Sequence, residues 1–436
     1  MKRIIDDKGR EEERVTVETL ADFRSRNQSN TPLFPSTKFF GSDVRRYLSL
    51  KHRLVKNQQH DADLLTDMNT VEESSCDIDF DDASLRQVME PHIAKARQGR
   101  VKALSTMMVH TETAPYPALR RWQTLRFPRE EFPFQQCLET LLNTNDLAEL
   151  HKQHHNGTKK EILKPLLRAS SREPFHQIYE RFICDFIVPY LHKRAADVST
   201  TTHDDDDDDN NNNNKTGTTT TTTTTIHQKD RQHKRFYFRY QAFPCIRVVR
   251  PNEFSIGPHC DLAYGHSIAS LNFYIPLSAP IVGTNAIYME TQPGREDWQP
   301  ILNNPKDRKS NYDTECREED GAVVLFDGVE CLHFTLENTT PFTRVSLDFR
   351  VSISEYHDDD VDDDDDDDEN DDDDDDGDNK VQPLHESMDW NDRYSSPPGY
   401  YAFCVTSQAC DGNDEIKVER IGERANTIDR RVGFPF

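Results

Sequence analysis

The sequence has no run of eighteen apolar residues, and its opening segment, Met1 to Arg14, is charged throughout. A membrane span and a secretory signal are therefore not expected. Nine cysteines are scattered along the 436 residues, and none forms a CxxC pair. That excludes the common zinc and redox-dithiol motifs and fits reduced thiols in a cytoplasmic protein. Basic, aromatic-interleaved stretches are missing beyond His233 to Arg239, a short segment better suited to opening a strand, so nucleic acid is not an expected partner. The formal net charge of -26 is not evidence for a basic partner, because Asp204 to Asp209 and the segment Asp358 to Asp378 supply nearly all of it. The remainder is close to neutral. The acidity belongs to solvated, self-repelling insertions, not to a surface built for a partner.

What is present changes in character along the chain. Residues 1–110 are polar and irregular, with short apolar groups such as Phe39-Phe40 and an amphiphilic piece near Leu85 to Ala96, so partial order at most is expected there. A helical preface packing on the core is expected over 111–200. There Leu138, Leu141, Leu142 and Leu147 recur at helical spacing, and Phe175, Ile178, Tyr179, Phe182, Phe186 and Tyr190 form one apolar stripe. Ser170-Ser171 would cap that helix, Pro174 sits in its first turn, and Pro189 should end or kink it.

A low-complexity Asp/Asn/Thr insertion fills 201–234, and over 235–356 the period becomes alternating. Ala269, Leu271, Phe273, Ile275 and Leu277 face one way, Asn272 and Tyr274 the other. Short β-like segments separated by turns at Pro293-Gly294, Asp327-Gly328 and 338–341 predict an antiparallel sandwich or barrel. An acidic insertion over 357–380 and a C-terminal strand and tail over 381–436 complete the chain. The expected fold is mainly β with flanking helices, an α+β arrangement around a double-stranded β-helix, the cupin-like jelly-roll.

Chemistry concentrates in His259 and Asp261 as HxD, His333 further on, and Arg344 and Ser346 as RxS. Two neutral imidazoles and one carboxylate can hold three facial positions on Fe(II), leaving others open for a cosubstrate and dioxygen. HxD recurs at His203/Asp205 and His357/Asp359, but those pairs sit at the edges of Asp runs, whereas Ile256-Gly257-Pro258 leads into His259 from a β-like segment. His266 competes less well, because Tyr264-Gly265 predicts a turn.

If 338–341 closes a four-residue hairpin, Thr335 pairs with Arg344 and His333 with Ser346, putting these four residues on one face. Phe334, Leu336, Val345, Leu347 and Phe349 would then pack on the helical preface. A planar guanidinium beside a hydroxyl matches a carboxylate, so Arg344 and Ser346 are expected to hold the distal carboxylate of a 2-oxo diacid. Arg350 shares their face about 20 Å further along the strand, and Asp348 is expected to neutralise it. Asn272 and Tyr274 are candidates to touch the same ligand, and Tyr288, Arg295 and Trp298 are candidates for a substrate entrance.

The stretch from Phe243 to Val351, with HxDxxYGH at His259 to His266, Pro293-Gly294-Arg295, and FDGxxCLH at Phe326 to His333, resembles the 2-oxoglutarate and Fe(II)-dependent dioxygenases. Within them it resembles the small branch that includes a streptomycin-biosynthesis oxygenase. The resemblance does not cover the N-terminal hundred residues or the acidic insertions. It implies iron ligation by His259, Asp261 and His333, binding of 2-oxoglutarate by Arg344, and, as in several branches, a contribution from Ser346. It also implies hydroxylation of a small-molecule substrate with dioxygen, releasing succinate and carbon dioxide. Two other readings compete: a cupin-type metal enzyme that does not use 2-oxoglutarate, and a catalytically silent β-helix binding module. RxS opposes the first and the intact ligand set opposes the second.

Overall fold

The change of hydrophobic period near residue 235 is where helices give way to sheet. A computed structural model describes residues 4–5, 11–12, 40–49, 51, 78–107, 117–153, 158–201, 235–278, 281, 283–301, 321–356, 400–408 and 416–422. The low-complexity tracts and the look-alike pairs at His203 and His357 lie outside the described residues. In chain order the main elements begin with helices α1 (40–49) and α2 (Ala83–Met107) and strand β1 (Gln123–Phe127). Helices α3 (Phe134–Leu142), α4 (Ala169–Arg181) and α5 (Val188–Thr201) follow, the last two joined by a π-helical turn, Phe182–Ile187. Then come β2 (Arg235–Gln241), β3 (Cys245–Val249), β4 (Ser270–Pro276), β5 (Ile287–Met289) and β6 (Gln299–Ile301). The set ends with β7 (Gly321–Phe326), β8 (His333–Thr335), β9 (Arg344–Tyr356), β10 (Tyr401–Gln408) and β11 (Ile416–Ile421).

These strands form an eight-stranded antiparallel sheet in the order β11-β10-β2-β9-β4-β7-β1, with β3 also on β9, and a three-stranded sheet β8-β5-β6. The architecture is thus antiparallel sheet with flanking helices, an α+β class. β9 is the spine of the larger sheet. One edge pairs first with β3 (Arg344 opposite Val249) and then with β2 (Val351 opposite Tyr240), while the other edge pairs with β4 (Ser346 opposite Pro276, Arg350 opposite Asn272).

Because side chains alternate along a strand, the two faces of this sheet are chemically distinct. Val345, Leu347, Phe349, Val351 and Ile353 join Leu271, Phe273 and Ile275 in one core packed on α3, α4 and α5. The cross-strand rings of Phe273 and Phe349 stack with centroids 5.1 Å apart. Burial of each such side chain is worth about 1.5–3 kcal/mol, so this face fixes the register. The polar residues between them, among them Asn272, Tyr274, Arg344, Ser346 and Arg350, are thereby turned together into the space beneath the sheet.

Several expectations need correcting. The hairpin between β8 and β9 does not form: His333 and Phe334 pair with Met289 and Tyr288 in the small sheet, while β9 belongs to the large one. The intervening segment crosses between sheets, held by buried Asn338, whose side-chain amide donates to the carbonyls of Val249 (3.2 Å) and Phe342 (2.7 Å). Phe334 and Leu336 consequently leave the helical preface and pack in a second core with α1 and α2. Of the N-terminal region, expected to be partly ordered, residues 40–49 and 78–107 join the fold, with Phe40 and Val44 from α1 and Leu85, Val88, Met89 and Ile93 from α2 all buried. Residues 123–127, expected within a helical preface, form edge strand β1 on β7. The long helix begins at Ala169 without a side-chain cap. It also runs past Pro189, because the widened turn just before it accommodates the carbonyl that a proline leaves without a donor. No described helix is long and apolar enough to cross a membrane.

Candidate metal centre

His259 and His333 meet as an isolated antiparallel bridge, each donating its backbone N–H to the other's carbonyl at 3.1 and 2.8 Å. This joint brings their rings to 4.2 Å between centroids. Asp261 reaches the same point differently from the strand alternation expected for HxD: it opens a 3-10 turn, Asp261–Tyr264, whose first amides donate to the carbonyls of Gly328 and Val329. One ligand atom from each of the three buried residues lies within 4.8 Å of the others, close enough to hold a metal ion.

Each imidazole is oriented by its own backbone neighbourhood. His259 Nδ1 is 2.8 Å from the Gly257 carbonyl and His333 Nδ1 is 3.1 Å from that of Cys331. A carbonyl can only accept, so Nδ1 carries the proton and Nε2 keeps its lone pair. Both Nε2 atoms face Asp261 Oδ1, at 3.7 and 4.0 Å. Burial, reinforced by His333, pushes His259 down to about 3, and burial lowers His333 as well. Both rings are neutral at ordinary pH, as metal ligation requires.

The other oxygen of Asp261 is engaged elsewhere. Oδ2 accepts from Arg350 Nε (2.8 Å), Arg350 Nη2 (2.6 Å) and Asn272 Nδ2 (2.6 Å). Burial raises the Asp261 carboxyl, but Arg350 and the three nearby histidines outweigh it and hold the group far below the usual carboxylate range. Arg350 thus neutralises Asp261, correcting the pairing expected with Asp348. Asp348 instead makes a two-pronged ion pair with Arg247, at 2.6 and 2.9 Å. Asn272 orients the carboxylate; its amide is turned to Asp261 because Asn272 sits directly opposite Arg350. His266 is buried next to Asp261 and held down to about 3 by burial, but it is not among the converging ligand atoms.

Along the same face lies a contrasting group. Arg344 is buried, with Nη1 donating to the Asn285 carbonyl at 3.0 Å. Its Nε and Nη2, together with Ser346 Oγ and Tyr274 Oη, are buried without hydrogen-bond partners. Burial lowers the Arg344 guanidinium and raises the Tyr274 phenol, each against the attraction of the other. Leaving such donors unpaired is costly, and together they suit an anionic acceptor with several lone pairs. Tyr288, Trp298 and Arg295, the entrance candidates, are not gathered here. Tyr288 donates to the Gly283 carbonyl and stacks on Phe334, and Trp298 packs edge-on to the same ring, so both belong to the core shared with α1 and α2. Arg295 is exposed beside Asp297.

Sequence reasoning misassigns one participant and misses another. Arg350 was assigned to the wrong carboxylate, although its parity with Arg344 already placed it on the correct face. Tyr264 is 54% exposed yet lies edge-on to the His259 ring at 5.2 Å, making it a wall of the site that faces solvent. Its position within HxDxxYGH, immediately before a glycine that takes φ 91°, was the available signal.

Over 111 residues the chain is 27% identical to the streptomycin biosynthesis protein StrG of Streptomyces griseus, a match covering 25% of this chain and 44% of that protein. The chain therefore spans less than half the length of this curated relative. No family model matches the sequence.

Proposed function

We propose that the chain is an Fe(II)- and 2-oxoglutarate-dependent dioxygenase that hydroxylates a small molecule. The observation carrying this reading is the set of buried, unpartnered donors on Arg344, Ser346 and Tyr274, on the same sheet face as Asn272 and Arg350, which hold Asp261 of the His-Asp-His cluster. A metal cluster alone would serve many chemistries; an adjacent anion cradle that is incomplete without a ligand narrows them. The two antiparallel sheets enclosing the cluster support a double-stranded β-helix as the finer description of the fold. Likeness to a streptomycin biosynthesis protein over part of the chain agrees with small-molecule chemistry. All six described cysteines are free, in keeping with a reducing compartment.

Iron with 2-oxoglutarate and dioxygen would supply oxidative decarboxylation to succinate and carbon dioxide coupled to hydroxylation of a C–H bond. The chain's own residues do the rest. His259, Asp261 and His333 would hold the metal, with the two Nδ1 protons pinned on carbonyls so that neither ring can turn away. Arg350 and Asn272 occupy Asp261 Oδ2 and so present Oδ1. Arg344, Ser346 and Tyr274 would grip the distal carboxylate of the cosubstrate, and Tyr264 would border the approach from solvent. Anaerobic titration with Fe(II) and 2-oxoglutarate tests this. The weak visible charge-transfer band of the chelate should appear in wild type and require far more 2-oxoglutarate in Arg344→Ala. Iron binding without that band would sink the cosubstrate assignment.

A further inference from the structure

Helix α2 reaches the metal cluster through a second buried carboxylate, that of Glu290, which is fully buried at the end of β5. Its Oε2 accepts from Arg100 Nη1 of α2 at 2.8 Å and from the backbone N–H of Leu332 at 2.7 Å. Its Oε1 accepts from the backbone N–H groups of Gly294 and Glu296, at 3.1 and 3.3 Å. The Glu290 amide in turn donates to the Leu332 carbonyl at 3.0 Å, so both polar groups of the residue preceding His333 are fixed by one side chain and its own backbone. Arg100 extends the clamp to the Glu330 carbonyl at 3.2 Å, and Arg97, a turn earlier, pairs with Glu296 at 2.5 Å. The same helix also backs the turn carrying Asp261: a Cβ on Gly99 would lie 3.5 Å from Ala263.

We propose that Glu290 is a positioning residue for His333, and that Arg100, by holding Glu290, makes α2 a component of the metal centre. Glu290 touches neither metal ligand side chain; it acts on the peptide that aims one of them. His333 Nδ1 rests on the Cys331 carbonyl, and Leu332, between the two, is the residue Glu290 ties down. A shift there would tilt the imidazole away from the point where Nε2 meets Asp261 Oδ1. The inference rests on the metal reading above but goes beyond it, since the resemblance to known oxygenases does not extend to α2.

Co(II), whose visible bands report coordination geometry, is the probe, titrated into the full chain without 2-oxoglutarate. Glu290→Gln and Arg100→Gln should each weaken Co(II) binding by ten- to a hundred-fold, the range typical of outer-shell orienting groups, and alter the band pattern. Arg100→Lys, which keeps a charged donor, should recover most of the affinity. Leu85→Ala, a core truncation in the same helix, should lower the melting temperature while leaving Co(II) affinity and spectrum intact, which separates positioning from general stability. Circular dichroism identifies the folded variants, and the conclusion is taken from whichever of Glu290→Gln and Arg100→Gln folds; should neither fold, Glu290→Asp decides, because it keeps the charge that pairs with Arg100 but withdraws the carboxylate from the Leu332 amide: weakened Co(II) affinity is expected, and wild-type affinity and spectrum would overturn the inference. Wild-type affinity and spectrum in a folded Gln variant would overturn the inference while leaving the metal reading intact. Failure of the wild-type chain to bind Co(II) would instead overturn the metal reading itself.

Discussion

Asp261 and Arg344 are both buried ionic groups, yet their surroundings are opposites. Asp261 has three donors on Oδ2, while Oδ1 faces the lone pairs of two imidazole Nε2 atoms. Arg344 has a single carbonyl contact and two N–H groups without acceptors, beside two hydroxyls in the same condition. A buried charge with its partner in place is compensated; a buried charge without one carries a desolvation cost that an acceptor would relieve. The difference separates a carboxylate oxygen that the chain itself satisfies from donors that it leaves unpaired.

The comparison can be broken most severely at its metal end. Asp261→Ala or His333→Ala should abolish saturable Fe(II) or Co(II) binding, measured by anaerobic titration; retention of a stoichiometric site would move the metal elsewhere. Next comes Arg350→Met, which strands the buried carboxylate and should cost about 3–5 kcal/mol of stability by denaturant unfolding. A cost under about 1 kcal/mol would mean that Asp261 does not depend on Arg350. Arg344→Met should behave in the opposite sense: the ligand-free protein melts no lower than wild type, while 2-oxoglutarate affinity falls about a hundred-fold, equivalent to about 2.7 kcal/mol. Equal destabilisation by both arginine changes would erase the distinction drawn above.

A separate expected effect is in pH dependence. Burial holds His259 and His266 down to about 3, whereas an unfolded chain protonates histidine near 6.5. Between these values the unfolded state takes up protons that the folded metal-free protein refuses, so stability should fall as pH drops from about 7 toward 3. Asp261, depressed in the folded state, adds to the same trend below about 4. Melting curves from pH 7 to 4 should flatten in a His259→Ala/His266→Ala double variant; an unchanged slope would show that other groups carry it.

Much of the site was legible in the chain because strand parity is a local rule. Parity alone placed Arg344, Ser346 and Arg350 on one face of β9 and Asn272 and Tyr274 on one face of β4. Partners across space were not legible, since nothing local says that Arg350 meets Asp261 or that Asp348 meets Arg247. The mistaken hairpin at 338–341 has the same origin: a short turn-like segment reads as a reversal, and only tertiary contacts of Asn338 make it a crossing between sheets. The contribution of α2 was obscured because its buried stripe is diluted by charges. Two of those charges, Arg97 and Arg100, are the ones that bind it to the loop after β5.

The π-helical turn Phe182–Ile187 has a consequence for helix phase. Before it, Tyr179 and His176 address the end of β2 through the carbonyls of Gln241 and Ala242; after it, His192 addresses Thr406 on β10. Deleting one residue within the turn would restore ordinary winding but rotate everything downstream by about 100°, swinging His192 and Leu191 off their strands. The widened turn is a phase correction that lets one helix staple two strands whose spacing does not match its own repeat.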